Sequence, residues 1–135
     1  MRVFLTKWMA RFARRERISD ESLCEAIARA EMGLIDADLG GGVIKQRVAR
    51  TGKGRSGGYR TVIAYRRAEK AFFVYGFAKK EKENLGPDEL KTAKEIAEIW
   101  LPANAHRITV GLEEGELEEV DCGSKENKPD GGSAS

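Results

Sequence analysis

Three β-branched and aromatic runs follow one another between Val43 and Ala78, joined by short links. Val43 to Val48 is the first and Tyr59 to Arg66 the second. Ala71 to Ala78 is the third, carrying Phe72-Phe73-Val74-Tyr75-Gly76-Phe77. Side chains of this kind pack best on a pleated surface, so each run reads as a strand. Arg67 to Lys70 reads as a tight hairpin turn. Three consecutive strands with short links constrain the chain to an antiparallel meander.

Helices are legible on both sides of the meander. After a short first strand, Arg2 to Leu5, the residues Trp8, Met9, Phe12 and Ala13 recur at helical spacing among Arg11, Arg14, Arg15 and Arg17. Ser19-Asp20-Glu21-Ser22 is a helix-capping pattern, and Leu23, Ile27, Ala30 and Leu34 continue from it until Gly33 ends the helix. Leu39-Gly40-Gly41-Gly42 reads as a flexible break. Gly86-Pro87 is a helix start, followed by Leu90, Ala93, Ile96, Ala97 and Trp100 on one face and stopped by Pro102. Ala103 to Glu113 reads as another helical turn or two, and Glu116 to Val120 as a last edge strand. The expected fold class is α+β, an antiparallel β-sheet flanked by helices, in one domain spanning residues 1–122. From Gly123 to Ser135 the composition cannot bury apolar area, and a disordered tail is expected.

The net charge of +2 hides a strong asymmetry. Residues 1–80 hold 18 Lys+Arg against 8 Asp+Glu, whereas 81–135 hold 6 against 14. Between Val43 and Arg67 lie eight basic residues and no acidic one: Lys45, Arg47, Arg50, Lys53, Arg55, Arg60, Arg66 and Arg67. One sign of charge across two strands and a glycine-rich link repels itself, and a polyanion such as nucleic acid supplies the missing counter-charge. Alternation places Lys45 and Arg47 on one face of their strand, and Arg60 and Arg66 on one face of theirs, with Lys79 and Lys80 where the third strand runs out. From composition alone, such a stretch is a generic binding face more often than an active site.

Other chemistries find little support. The glycine-rich stretch lacks the Gly-Lys-Ser/Thr ending of a phosphate-binding P-loop. The lone histidine, His106, reads as a surface or interface residue, and no metal-ligand spacing exists. Phe73, Tyr75 and Phe77 alternate onto one face and read as core. Cys24 and Cys122 read as unpaired thiols of a reducing compartment. With no membrane-length apolar run and no signal-peptide core, a cytoplasmic protein with no membrane partner is expected. Crowded cations can themselves be catalytic, because neighbouring positive charge lowers a lysine's pKa and an arginine can hold a transition-state phosphate.

Leu39-Gly-Gly-Gly-Val-Ile-Lys-Gln-Arg-Val-Ala-Arg50, Gly52-Lys-Gly-Arg-Ser-Gly-Gly-Tyr-Arg60 and Tyr75-Gly-Phe-Ala-Lys-Lys-Glu-Lys-Glu-Asn84 resemble the RelE/ParE superfamily of toxin–antitoxin toxins. The phage-associated, HigB-like branch is the most similar, and the likeness spans roughly Val3 to Val120. It implies a RelE-like sheet flanked by helices, and a small metal-independent ribonuclease with no cofactor that cuts messenger RNA on the ribosome. It also implies a cognate antitoxin, of helix-turn-helix type, as partner.

Residue by residue, the resemblance places Arg60 where the family holds the phosphate and Lys80 near its late basic residue. Arg50, and less closely Lys45 and Arg47, match the basic residues of its strands. The implied catalytic set is Arg50, Arg60 and Lys80. Arg60 would stabilise the transition-state phosphate, Lys80 would protonate the leaving 5′-oxygen, and Arg50 or Lys45 would help activate the 2′-hydroxyl. Lys45, Arg47, Lys53, Arg55 and Lys79 would hold the RNA. One departure matters: some members carry a late catalytic tyrosine, and here Asn84-Leu85-Gly86 occupies that region with no tyrosine after Tyr75. Related ParE-like members inhibit DNA gyrase instead, and a non-catalytic RNA-binding module is a third reading.

Overall fold

The computed structural model describes residues 1–50, 54–78 and 85–122, without the side chains of 54–57. The elements are β1 (Arg2–Thr6), α1 (Lys7–Glu16), α2 (Asp20–Glu31), β2 (Ala37–Gly40), β3 (Val43–Arg50), β4 (Gly54–Arg66), β5 (Lys70–Ala78), α3 (Pro87–Trp100), α4 (Ala105–Glu113) and β6 (Leu117–Val120). The strands form one sheet in the order β2-β3-β4-β5-β1-β6. The expected α+β class, a sheet flanked by helices, is the class observed.

Local chemistry sets the helix starts. The Thr6 side chain accepts from the Met9 N–H to cap α1, and Ser19 accepts from the Ser22 N–H to cap α2. Pro87 opens α3, where its missing N–H removes no helix bond. α1 buries Met9, Ala10, Phe12 and Ala13, and α2 buries Leu23, Ala26, Ile27 and Ala30, in a core that covers one face of the sheet. The opposite face packs against α3 and α4 through Phe4, Val62, Phe72, Val74, Ala97, Trp100 and Ile108. Buried Gln46 fixes β3 beneath α2: its amide donates to the Ala26 and Leu34 carbonyls and accepts from the Asp36 N–H.

The β3-β4-β5 meander is antiparallel, but the sheet as a whole is mixed. β1 lies parallel to β5, with Phe4 opposite Phe72, and β6 is antiparallel to β1 at the sheet's edge. β1 feeds directly into α1, so no hairpin gives it a local antiparallel partner, and it takes the edge that β5 offers. The glycine run at 40–42 is also more ordered than its composition suggested. Ala37–Gly40 pairs with β3, and Gly40, Gly41 and Gly42 adopt φ of +84°, +62° and +81°. Their freedom in this region closes a tight turn rather than a flexible break.

Two further expectations are corrected. A β-bulge at Val74 shifts the register between the Val62–Tyr75 and Ile63–Phe73 pairs. Phe73 therefore joins the α1–α2 core, while Phe77 and the half-buried Tyr75 lie on the α3 side, so the three aromatics do not share one face. The cysteines are not free thiols. Cys24 and Cys122 form a disulfide with Cα atoms 5.3 Å apart, because the chain leaving β6 passes beside α2. Their separation of 98 residues hid this proximity. Free thiols therefore no longer support a reducing compartment. No helix among the described residues is long and apolar enough to cross a membrane. The predicted tail, residues 123–135, lies outside the described residues.

Candidate anion-binding face of the sheet

Strand alternation and register together place the basic residues. Arg47 of β3 pairs with Arg60 of β4, and Arg60 pairs with Phe77 of β5. The next rung is Lys45, Val62 and Tyr75. Val62 and Phe77 belong to the α3-side core, so Lys45, Arg47 and Arg60 lie on that same face. Arg47 is exposed and Lys45 half-buried. Arg60 is only 8% exposed, and its Nη1 is buried without a hydrogen-bond partner among the described residues.

That combination is unusual, since buried polar groups are almost always paired. Arg29 supplies an internal comparison at 9% exposure. Its guanidinium bonds Glu25 at 2.9 Å, donates to the Arg47 carbonyl and lies 3.7 Å from Asp36. Arg29 is thus a satisfied structural cation. Arg60 holds a desolvated positive charge with one donor nitrogen unpaired among the described residues, on the face that already carries Lys45 and Arg47. An anion brought to this rung would gain a charge-assisted hydrogen bond without first displacing a protein partner from that nitrogen.

The other sequence-derived candidates are placed differently. The Arg50 guanidinium lies 5.9 Å from the centre of the Tyr59 ring, and Tyr59 packs edge-on against Phe12 of α1. Arg50 therefore reaches towards the α1 face, away from Arg60. A register shift between Val48 and Arg50 accompanies this placement. Arg66 shares a face with Arg60, but its Nη1 donates to the Leu101 carbonyl at 3.0 Å and so holds the end of α3. Lys53, Lys79 and Lys80 lie outside the described residues, and only the backbone of Arg55, within β4, is described. His106 is exposed, as its sequence context suggested.

Sequence reasoning missed the aromatic surroundings of this face. Tyr75 is the diagonal neighbour of Arg60, two residues before its partner Phe77. Burial, and secondarily the Glu89 carboxylate, raise the Tyr75 pKa, so its hydroxyl stays protonated. Trp8, which recurs with Met9, Phe12 and Ala13 at helical spacing, is 43% exposed and lies perpendicular to Tyr75 with ring centroids 5.3 Å apart. The available signal was the Trp8–Phe12 spacing, which makes an aromatic pair on one side of a helix.

No curated protein matches the sequence. The family model described as the RelE toxin of the RelE/RelB toxin–antitoxin system matches residues 1–120, covering every strand and helix described above. With the helix-flanked sheet and its basic face, that match settles the assignment: the chain belongs to the RelE toxin family and is the toxin of a toxin–antitoxin system, with a cognate antitoxin as its partner.

Proposed function

We propose that this toxin is a ribosome-dependent endoribonuclease acting on messenger RNA, with Arg60 as the residue that holds the scissile phosphate. The observation that carries the reading is the Arg60 Nη1, buried without a partner among the described residues, on a face shared with Lys45 and Arg47. A desolvated guanidinium is stabilised when a phosphate supplies the missing acceptor. It is stabilised further as charge builds on the phosphorane oxygens, which is the condition for lowering a barrier rather than only binding substrate.

RNA carries its own nucleophile. The 2′-oxygen attacks the adjacent phosphorus, its proton passes to a base, the P–O5′ bond breaks and the 5′-oxygen takes a proton. The products are a 2′,3′-cyclic phosphate and a 5′-hydroxyl. Lys45, which shares a face with Arg60, is the proposed residue that helps activate the 2′-hydroxyl. Arg47, exposed beside Arg60, is suited to the RNA backbone. Lys80 is the proposed proton donor to the 5′-oxygen, and Lys53, Arg55 and Lys79 are proposed RNA-binding residues. Arg50 reaches towards Tyr59 and the α1 face, so any proposed part in catalysis is played from there.

The test is growth arrest on induction of the toxin alone, with pulse-labelling of protein and DNA synthesis. The expected result is that translation stops first and messages are cut. Arg60→Ala should remove the arrest in a folded protein, because losing such a contact costs on the order of 3 kcal/mol, roughly 10²-fold in rate. Arrest of DNA synthesis with intact messages would replace this reading by gyrase inhibition.

A further inference from the structure

Where β1 stops, the sheet has a bare edge. β1 pairs with β5 only from Lys70 to Phe73, and the Thr6 hydroxyl donates to the Val74 carbonyl at its end. Among the described residues, no strand pairs with the Tyr75–Ala78 stretch on that side. A cleft of about 390 Å³ opens there between α1, β5 and the start of α3, lined by Trp8, Phe12, Arg15, Tyr75, Phe77 and Glu89. Its aromatic wall is ordered by contacts. Trp8 stacks on Phe12 with centroids 5.5 Å apart and lies perpendicular to the Tyr75 ring, with centroids 5.3 Å apart. The exposure of Trp8, at 43%, leaves much of the indole facing solvent. Large aromatics normally bury most of their surface, so this one is available to a further planar partner.

We propose that this cleft receives one nucleobase of single-stranded RNA, stacked on Trp8, while the adjoining phosphate lies at Arg60. The proposal rests on the reading of the protein as an RNA-cleaving toxin. Phe77 joins the two positions, since it lines the cleft and is the direct cross-strand partner of Arg60. Directly paired residues have Cβ atoms about 5 Å apart, so Arg60 adjoins the cleft wall at Phe77. Charge separates the two roles. Glu89 and Arg15 in the cleft carry opposite signs, which suits a neutral planar group, whereas the unpaired guanidinium nitrogen suits an anion. The protonated Tyr75 hydroxyl can donate one hydrogen bond to the edge of the base. Stacking tolerates any base, so the cleft contributes affinity and register more than sequence preference.

The test uses purified toxin and short oligoribonucleotides made uncleavable by 2′-deoxy substitution. Trp8 fluorescence is the readout, because the other tryptophan, Trp100, is buried. The expected result is quenching of the wild type by oligonucleotide and, by anisotropy of an end-labelled oligonucleotide that does not depend on Trp8, roughly tenfold or greater loss of affinity in Trp8→Ala. Trp8→Phe keeps a ring and should keep most of the affinity, and circular dichroism checks that both variants fold. An abasic site at one position should weaken wild-type binding to the same extent and leave Trp8→Ala unaffected. Binding that depends on Arg60 but is indifferent to Trp8 and to every abasic position would overturn the cleft proposal and leave the ribonuclease reading intact. Absence of oligonucleotide binding, or quenching of Trp8 by the antitoxin alone, would also overturn it. The ribonuclease reading itself falls only if pulse-labelling shows DNA synthesis stopping first.

Discussion

Arg29 and Arg60 are buried to nearly the same depth, and the difference between them lies in what surrounds each guanidinium. Arg29 exchanges its hydration for Glu25, Asp36 and a backbone carbonyl. Arg60 leaves Nη1 without such an exchange. A polar group buried without a partner costs about 1–3 kcal/mol, so in the absence of ligand Arg60 opposes folding. Replacing the two residues by methionine, which has similar length and no charge, should therefore act in opposite directions. Arg60→Met should leave stability unchanged or raise it by about 1 kcal/mol, at the expense of anion binding. Arg29→Met strands half-exposed carboxylates and a carbonyl, and should lower stability by about 1–2 kcal/mol. Urea unfolding of both variants measures this. If Arg60→Met proves the more destabilising of the two, its guanidinium is structurally satisfied and the anion site loses its foundation.

Gly58 shows how an element can depend on the absence of a side chain. A Cβ built there would lie 2.1 Å from the Val48 carbonyl oxygen, which is backbone and cannot swing away. Gly58→Ala should push β3 from β4 and cost about 3 kcal/mol or more in chemical denaturation. A loss below about 1 kcal/mol would mean that the two strands part easily at this point. The glycine-rich string before Tyr59 was legible as a feature, but its close approach to β3 was not. What sequence conveyed well was local. Capping chemistry placed α2 and α3, the β4–β5 turn followed from its length, and strict alternation put Lys45, Arg47 and Arg60 on one side of their strands. Sequence failed where pairing is non-local or periodicity breaks. The bulge at Val74 reassigned Phe73, and β2 was hidden in Ala-Asp-Leu-Gly, a string with little strand propensity that gains order by pairing with β3. The site was half legible for the same reason. Charge and alternation are written along the chain, whereas the burial of Arg60 and the turning of Arg50 towards Tyr59 arise from neighbouring strands and packing.

At the scale of the whole molecule, the fold joins part of the acidic charge of the C-terminal half to arginines of the N-terminal half. Acidic residues in and just before β6 meet basic residues of the opposing half and of α4. Glu119 holds Arg2 through two bonds of 2.9 and 3.0 Å, Glu118 holds Arg14 at 2.9 Å, and Glu116 holds Arg107 at 3.0 Å. These pairs are partly exposed and each contributes about 1 kcal/mol or less to stability. Their larger consequence is positional, because they use much of the acidic charge at one edge of the sheet. β4 lies three strands from β6, roughly 14 Å at the usual strand spacing, which exceeds the Debye length of about 8 Å at physiological salt. The acidic cluster at β6 therefore screens Lys45, Arg47 and Arg60 only weakly. An antitoxin that silences the toxin by covering this face should bring acidic groups to it, and its affinity should fall steeply with salt. Lys45→Glu and Arg47→Glu should weaken the complex and flatten its salt dependence, while Glu118→Lys and Glu119→Lys at the far edge should change neither strongly. Calorimetric titration of the antitoxin across a salt series distinguishes the cases. An affinity indifferent to salt and to both reversals on the basic face would mean that the antitoxin grips apolar helix surface instead, leaving the face open while bound.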